Sequence, residues 1–380
     1  MSKIGILTYH HYYNYGTALQ AYALEYYISK KLGCDVEIID FILADEYVGK
    51  RLLFIRAKRM ITYLRQFKKY YTLWKGRDAQ KNVQECFEKF FREYFNVSER
   101  RVMEMNGLQE VCKDYSAIMI GSDQTWNPYV SGWRYFLLDF LEDGIDKICY
   151  APSLGTGKIP AEYKEEYFNA LSDFKALSCR EQGGAAFLTD FLQRRVESVL
   201  DPTLLLTQED WKALSEERKS EEPYLLTYFL GDNPEYRKVA KKIANENGLK
   251  IIALPMSYHE MGDKKIEKQF VGPKGFITLI CNASFICTDS FHGTMFAINF
   301  EKQFLSFVKR NDEEIDSDNN RLYDALHMFG LESRMVKNGL VDGTIIDYDI
   351  VRKKLSQYRK KSHDYLSNTV SEVLKSGEKR

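Results

Sequence analysis

Short apolar segments alternate with longer segments of helical periodicity along most of this 380-residue chain. Segments of strand length lie at residues 4–9, 36–41, 117–121, 147–151, 176–179 and 198–200, and again at 224–230, 250–254, 284–288 and 303–308. Apolar residues at helical spacing fill residues 17–32 and 235–247. Strands that alternate with helices build βαβ units, so the sequence predicts an α/β fold with parallel sheets.

The alternation stops and restarts once, which divides the chain into two parts. Residues 209–223 are highly charged and end in KSEEP, and a new strand pattern begins directly after them. A chain of this length can bury two hydrophobic cores. We therefore predict an N-terminal Rossmann-like domain over residues 1–206, a C-terminal one over 207–345, and a charged helical tail over 346–380.

The composition argues against several functional classes. Lys plus Arg and Asp plus Glu each number 54, so the net charge gives no reason to expect nucleic-acid binding. The seven cysteines form no CxxC pair and HEMGD at 259–263 lacks the second histidine of a zincin, so we expect no metal site. The N-terminus is typical of a strand and no apolar window is long enough for a membrane span, so we expect a cytoplasmic protein.

One segment departs from this balance of charge. Residues 51–77 carry nine basic residues and no acidic one, with apolar and aromatic residues interleaved at helical spacing. One interpretation is a helix that packs on its own domain and turns a basic face to water. The other is peripheral contact with anionic lipids at the inner face of the membrane.

Polar residues and glycines follow several predicted strands, most notably in TDSFHGTMFAINF at residues 288–300. There Ser290, His292 and Gly293 stand between a strand and a helix. Ligands of parallel α/β sheets bind at the carboxyl ends of strands, and a helix N-terminus attracts anions. This pattern predicts a binding or acid–base site around His292, and a buried histidine with a structural role is the alternative.

Three further junctions offer ligand-binding groups. NYGTALQ brings Asn14 and Gly16 to the start of a helix, and GSDQ brings Asp123 to the end of a strand, although both segments also suit turns. SCRE places Arg180 after a strand, where a guanidinium can hold a carboxylate or phosphate. A structural pair with the adjacent Glu181 is the alternative for this arginine.

Taken together, six segments resemble the polysaccharide pyruvyl transferase family over most of the chain. They are NYGTALQAYAL (14–24), GSDQTWNP (121–128), YAPSLGT (150–156), SCRE (178–181), LDPTLLL (200–206) and TDSFHGTMFAINF (288–300). The resemblance implies a GT-B-like fold, in which two Rossmann-like domains face a cleft and a C-terminal helix follows. It also implies transfer of a pyruvyl ketal group from phosphoenolpyruvate to a sugar of a cell-surface or exopolysaccharide precursor, with release of phosphate.

The resemblance also implies roles for particular residues. His292 and Arg180 would be catalytic, with phosphoenolpyruvate as co-substrate and no further cofactor. The implied donor-binding residues are Arg180, Ser290, His292, Gly293 and Thr294, and the implied residues on the acceptor side are Tyr9, His10, Asn14, Gly16, Ser122 and Asp123. The acceptor would be a lipid- or nucleotide-linked saccharide.

The chain departs from the family pattern at Ser290, where family members often carry an arginine two residues before the histidine. A hydroxyl supplies neither the charge nor the fork of a guanidinium. Another cation such as Lys309, Arg310 or Arg321 would then hold the donor, or the donor is bound differently. The alternatives are a GT-B-fold transferase that uses a nucleotide sugar, and a non-catalytic subunit of a polysaccharide assembly complex.

Overall fold

The computed structural model describes residues 3–43, 77–217, 222–231, 233–256, 258–308, 319–336 and 343–377. The predicted membrane contact through residues 51–77 lies outside these ranges, apart from the helix residue Arg77. Lys309 and Arg310, two of the proposed replacement cations, also lie outside them. No helix in the described ranges is long and apolar enough to cross a membrane.

The first sheet has four parallel strands in the order β2-β1-β3-β4. They are β1 (Ile4–Leu7), β2 (Val36–Ile38), β3 (Ala117–Ile120) and β4 (Asp146–Cys149). Helix α1 (Tyr15–Tyr26) follows β1 and continues as a π-helical turn over Tyr27–Lys31. Helix α1 begins at Tyr15, two residues before the predicted start at Thr17. The side chain of Asn14 caps the helix there, because it accepts a hydrogen bond from the Thr17 amide at 3.2 Å.

The second sheet has six parallel strands in the order β12-β11-β10-β7-β8-β9. They are β7 (Tyr224–Tyr228), β8 (Lys250–Ala253), β9 (Glu267–Lys268), β10 (Phe285–Thr288), β11 (Gln303–Phe307) and β12 (Met335–Val336). A short parallel pair, β5 (Ser178–Cys179) and β6 (Glu197–Ser198), stands apart from both sheets. The prediction of an α/β fold with parallel sheets is confirmed, while the boundary after residue 206 stays a prediction.

The remaining helices connect and cover these strands. In chain order they are α2 (Arg77–Tyr94), α3 (Met105–Cys112), α4 (Lys164–Ser172), α5 (Gln182–Leu192), α6 (Pro202–Leu205), α7 (Gln208–Lys212), α8 (Pro234–Glu246), α9 (Tyr258–Gly262), α10 (Pro273–Asn282), α11 (Phe291–Asn299), α12 (Asn319–Phe329) and α13 (Tyr348–Gly377). The two segments that carry the site are α1, after β1, and α11, after β10.

An aromatic core joins the half of the molecule built around the first sheet to the half built around the second sheet. Tyr15 at the start of α1 stacks on Phe276 of α10, with ring centroids 4.5 Å apart, and meets Tyr228 of β7 edge to face. The Tyr15 hydroxyl donates to the Val271 carbonyl at 2.7 Å. Large aromatic side chains contribute most when they are fully buried, so this contact fixes α1 against the second sheet.

Helix α13 packs on both halves and confirms the predicted C-terminal helix. Near its start, Val351 and Leu355 belong to the core of the second sheet. Further along, Leu366 and Val370 are buried against strands of the first sheet. Each of these apolar side chains stabilises the fold by roughly 1.5–3 kcal/mol, so the helix holds the two sheets together.

Candidate active site

A cavity of about 150 Å³ lies where the two sheets turn their strand ends toward each other. Its wall combines residues that follow β1 and β3 with residues that follow β7 and β10. The lining consists of Asn14, Thr17, Asp123, Gln124, Leu230, Asp289, Ser290, Phe291, His292, Arg321 and Leu322. The carboxyl ends of parallel strands are where α/β folds bind ligands, so this cavity is the candidate active site.

The start of α11 is built by three hydrogen-bonding side chains. Ser290 is the N-cap: its hydroxyl accepts from the Gly293 amide at 3.3 Å and its carbonyl accepts from the Thr294 amide at 3.0 Å. Thr288 accepts from the Ser290 amide at 3.0 Å. Asp289 accepts from the Leu230 and Gly231 amides at 2.6 and 2.7 Å, which ties α11 to the end of β7. The positive end of the α11 dipole therefore faces the cavity.

His292 is buried between the two halves of the molecule, with 7% of its surface exposed. Its imidazole packs directly on Gly16 of α1, where an added Cβ would lie only 2.0 Å from Nδ1. Its Nε2 lies 3.4 Å from Oδ2 of Asp201, within ion-pair distance. Only glycine leaves room for the ring at this position of α1, which explains the Gly16 of the NYG segment.

Asp201 is the centre of a buried network that also holds Arg180. The carboxylate lies 3.2 Å from Arg180 Nη1 and accepts from the Thr203 amide and hydroxyl at 3.0 and 2.6 Å. Burial by itself would raise the pKa of Asp201, but His292 and Arg180 hold it well below its ordinary value. The carboxylate is therefore ionised at neutral pH and faces the imidazole.

Two carboxylates pair with the guanidinium of Arg180. Its Nε donates to Glu181 at 3.0 Å and its Nη1 donates to Asp201 at 3.2 Å. Burial by itself would lower the pKa of Arg180, yet the two carboxylates raise it above its ordinary value. Its Nη2 makes no hydrogen bond among the residues that the structure describes. Pairing with Glu181, the alternative left open by the sequence, is therefore present, and Arg180 borders a smaller cavity that shares Phe291 and Arg321 with the candidate site.

Arg321 of α12 enters the cavity beside Ser290 and His292. Its guanidinium carbon lies 5.7 Å from the centre of the Phe291 ring, and that of Arg180 lies 4.3 Å from the same ring. Cations are attracted to the faces of aromatic rings, so Phe291 holds both arginines near the start of α11. Arg321 thus places a positive charge next to the position where an arginine is replaced by Ser290.

The opposite wall of the cavity is formed by α1 and the end of β3. Thr17 donates its hydroxyl to Asp123 Oδ2 at 2.8 Å, and the other Asp123 oxygen accepts from the Gln124 amide at 2.9 Å. Asp123 has a left-handed backbone with φ of 75°. Such a conformation costs on the order of 1–3 kcal/mol for most residues and recurs at functional sites. Asn14 and Asp123 line the cavity, and neighbouring Ser122 is fully buried behind them.

Besides Ser122, six of the predicted residues do not line this cavity. Gly16 packs on the His292 ring, and Arg180 borders a smaller cavity that shares Phe291 and Arg321 with this one. Tyr9 is buried against Phe136 and donates to the Ser131 carbonyl at 2.8 Å. His10 turns toward Asp40 at the end of β2. The Thr294 hydroxyl bonds within the second half, and Gly293 packs on Thr288, where a Cβ would lie 2.5 Å from Oγ1. Their predicted roles in substrate binding remain untested.

The sequence interpretation missed Asp201, Thr17 and Phe291 as parts of the site. Asp201 belongs to LDPTLLL, which carried the family resemblance without a role for the carboxylate. Asp followed by Pro is a pattern typical of a helix start, and Asp201 is the N-cap of α6, with Pro202 as its first residue. Only the three-dimensional arrangement brings this cap to both His292 and Arg180.

The two parallel sheets, the cavity between them and the long C-terminal helix define a GT-B-like α/β protein. A putative UDP-N-acetylglucosamine 2-epimerase from Listeria monocytogenes superposes with a TM-score of 0.52 at 10% identity, over 97% of this chain and 91% of that chain. The S. aureus MnaA–UDP complex superposes with a TM-score of 0.52 at 11% identity, over 97% and 91%. At such identities these similarities establish the fold alone.

The family is established by sequence. The polysaccharide pyruvyl transferase family model matches residues 14–309, which span all the cavity segments up to β11. No curated protein matches the chain in sequence. The chain belongs to the polysaccharide pyruvyl transferase family, as the sequence resemblance predicted.

Proposed function

We propose that this protein transfers a pyruvyl ketal group from phosphoenolpyruvate to a sugar of a cell-surface or exopolysaccharide precursor. The observation that carries the proposal is the buried His292, held between Gly16 and Asp201 at the start of α11 and beside Arg321. An acid–base group, a cation and a helix N-terminus then meet in one cavity. Family membership supports the reaction class.

The donor's anionic groups are held by Arg321 and by the amides at the start of α11, while Arg180, beside the adjoining cavity, holds Asp201 in place. Helix N-termini and guanidinium groups are the protein groups best suited to carboxylates and phosphates. In this arrangement Arg321 takes the part of the arginine that Ser290 replaces. The hydroxyl of Ser290 keeps the helix capped and leaves the space beside it for the donor.

His292 supplies the proton that the reaction needs. Phosphoenolpyruvate accepts a proton at C3, and a sugar hydroxyl adds to the electron-poor C2 that results. A second hydroxyl then displaces phosphate and closes the ketal. Asp201 faces Nε2 of the ring, so the proton comes from Nδ1, on the side of α1.

The acceptor occupies the wall formed by the first half of the molecule. Asp123, held by the Thr17 hydroxyl, is the carboxylate that accepts the proton of the attacking sugar hydroxyl. Hydroxyl, amide and carboxylate groups of Asn14, Thr17 and Gln124 suit a saccharide, which presents hydroxyl groups as donors and acceptors.

The test is calorimetric titration of phosphoenolpyruvate into the wild type, His292→Ala and Arg321→Gln, with the exposed Arg352→Ala as the matched control. We expect each of the two cavity variants to weaken binding at least tenfold, about 1.4 kcal/mol, and the control to leave it unchanged. Phosphate release is then measured with a panel of lipid- and nucleotide-linked sugars. Binding of UDP in place of phosphoenolpyruvate would instead favour a nucleotide-sugar transferase, and binding of neither would favour a non-catalytic subunit.

A further inference from the structure

A second group of ligand-type side chains lies outside the cavity, at the edge of the first sheet. His10 and His11 follow β1, and Asp40 follows β2, the strand next to it. One nitrogen of each histidine and one oxygen of the carboxylate all lie within 4.8 Å of one another. Because β1 and β2 are parallel, their carboxyl ends bring these three residues together.

The contacts of His10 direct one ring nitrogen toward a carbonyl and the other toward a carboxylate. Nδ1 lies 3.2 Å from the Thr8 carbonyl, which only accepts, so Nδ1 carries the proton. The other ring nitrogen, Nε2, faces Asp40 Oδ1 at 3.3 Å in a site where His10 is 2% exposed. A metal ion between the two atoms would bind the nitrogen lone pair and the carboxylate together.

The spacing fits a metal ion. Two ligands about 2.0–2.1 Å from a tetrahedral zinc ion lie about 3.3–3.4 Å from each other, which is the distance between His10 Nε2 and Asp40 Oδ1. A histidine that binds metal through one nitrogen usually donates its other N–H to a carbonyl, as His10 does to Thr8. Arg101 donates to the second Asp40 oxygen at 2.8 Å and orients the carboxylate.

His11 is the third residue of this group of possible metal ligands. It is partly exposed, it packs on Phe91 with ring centroids 5.3 Å apart, and its Nε2 lies 3.8 Å from Glu88 Oε1 of α2. A rotation of this accessible ring closes the remaining distance, while the buried pair stays fixed. Glu88 Oε1 also accepts from the Tyr13 hydroxyl at 2.6 Å.

We propose that His10, His11 and Asp40 bind a divalent transition-metal ion, with zinc as the best match to two imidazoles and one carboxylate. The ion joins the segment after β1 to the end of β2. That segment leads directly to Asn14, the N-cap of α1 and part of the cavity wall. The metal therefore has a structural role, in that it fixes one side of the candidate active site.

The test is titration of zinc chloride into the chelator-treated full-length protein, followed by calorimetry and by thermal unfolding. We expect one zinc ion per chain and a rise in the melting temperature. His11→Ala, which removes the accessible ligand, and Asp40→Asn should each weaken zinc binding at least tenfold. The exposed His327→Ala, on α12, controls for adventitious binding to histidine and should change nothing.

Two results would overturn the proposal. One is the absence of zinc binding by the wild type, which would leave His10 and Asp40 as an ion pair only. The other is zinc binding that His11→Ala and Asp40→Asn leave unchanged. Circular dichroism of both variants distinguishes lost affinity from lost folding, and magnesium chloride tests whether the response is specific to a transition metal.

Discussion

The contact between Gly16 and His292 gives the sharpest prediction. Gly16→Ala places a Cβ 2.0 Å from Nδ1, 2.5 Å from Cγ and 2.8 Å from Cε1 of the imidazole. The ring has to move by about 1 Å or more, since carbon contacts below 3.0 Å are essentially absent from proteins. The Nε2 of the same ring faces Asp201 at 3.4 Å, so the displacement disturbs the proposed acid–base pair.

Two effects of opposite sign determine the change in stability. Overpacking a buried site costs about 1–3 kcal/mol. Alanine has a higher intrinsic helix propensity than glycine, by up to about 1 kcal/mol. We therefore expect Gly16→Ala to lower the free energy of unfolding by up to about 2 kcal/mol in the wild-type background. In a His292→Ala background the obstacle is gone, and the same change should raise the free energy of unfolding by up to about 1 kcal/mol.

The assay is urea denaturation of the wild type, both single variants and the double variant. The coupling between the two substitutions should be about 1–3 kcal/mol. Gly107→Ala in α3 is the matched control, because its Cβ meets only Val102, at 3.2 Å, and it does not line the cavity. Additivity of the two substitutions within about 0.5 kcal/mol would refute the close packing of the imidazole on α1. Gly16→Ala should also weaken phosphoenolpyruvate binding about tenfold.

Three further predictions follow from the buried polar groups. Asp201→Asn should lower the free energy of unfolding by about 3–5 kcal/mol, as measured by urea denaturation. Because the pKa of Asp201 is lowered in the folded state, this difference should be present at neutral pH and shrink as the pH falls below about 4. Burial raises the pKa of Glu260 to about 7, so wild-type stability should decline as the pH rises from about 4.5 through 7, and Glu260→Gln should be the more stable protein at pH 8, by on the order of 3 kcal/mol. A flat difference across that pH range would contradict this assignment. Ser290→Ala should cost about 1 kcal/mol through loss of the helix cap. Ser290→Asp should keep the cap yet weaken phosphoenolpyruvate binding by charge repulsion, and equal calorimetric affinities of both variants would count against a donor at α11.

The parallel strands and their connecting helices were readable from the sequence because burial on both faces demands continuous apolar segments. The strands at 117–120 and 224–228 are fully buried and lie within the predicted segments. The strands β9 and β12 have two residues each and were not predicted, since neither lies in a longer apolar segment, whereas the equally short β5 lies in the predicted segment 176–179. The charged helical tail was predicted over residues 346–380, and the helix spans Tyr348–Gly377.

The sequence by itself determined the family and the fold class, and it selected His292 as a candidate site residue, because the segments around the strand ends are local in the chain. Tertiary structure alone decided which of those ends meet. Gly16 lies far from His292 in the chain, and Asp201 had no predicted role until the fold placed it beside both His292 and Arg180. The same holds for Arg321, which the sequence offered only as one of three cations. Such contacts depend on how two sheets pack against each other, and packing depends on the shapes of side chains distant in sequence, which local patterns do not encode.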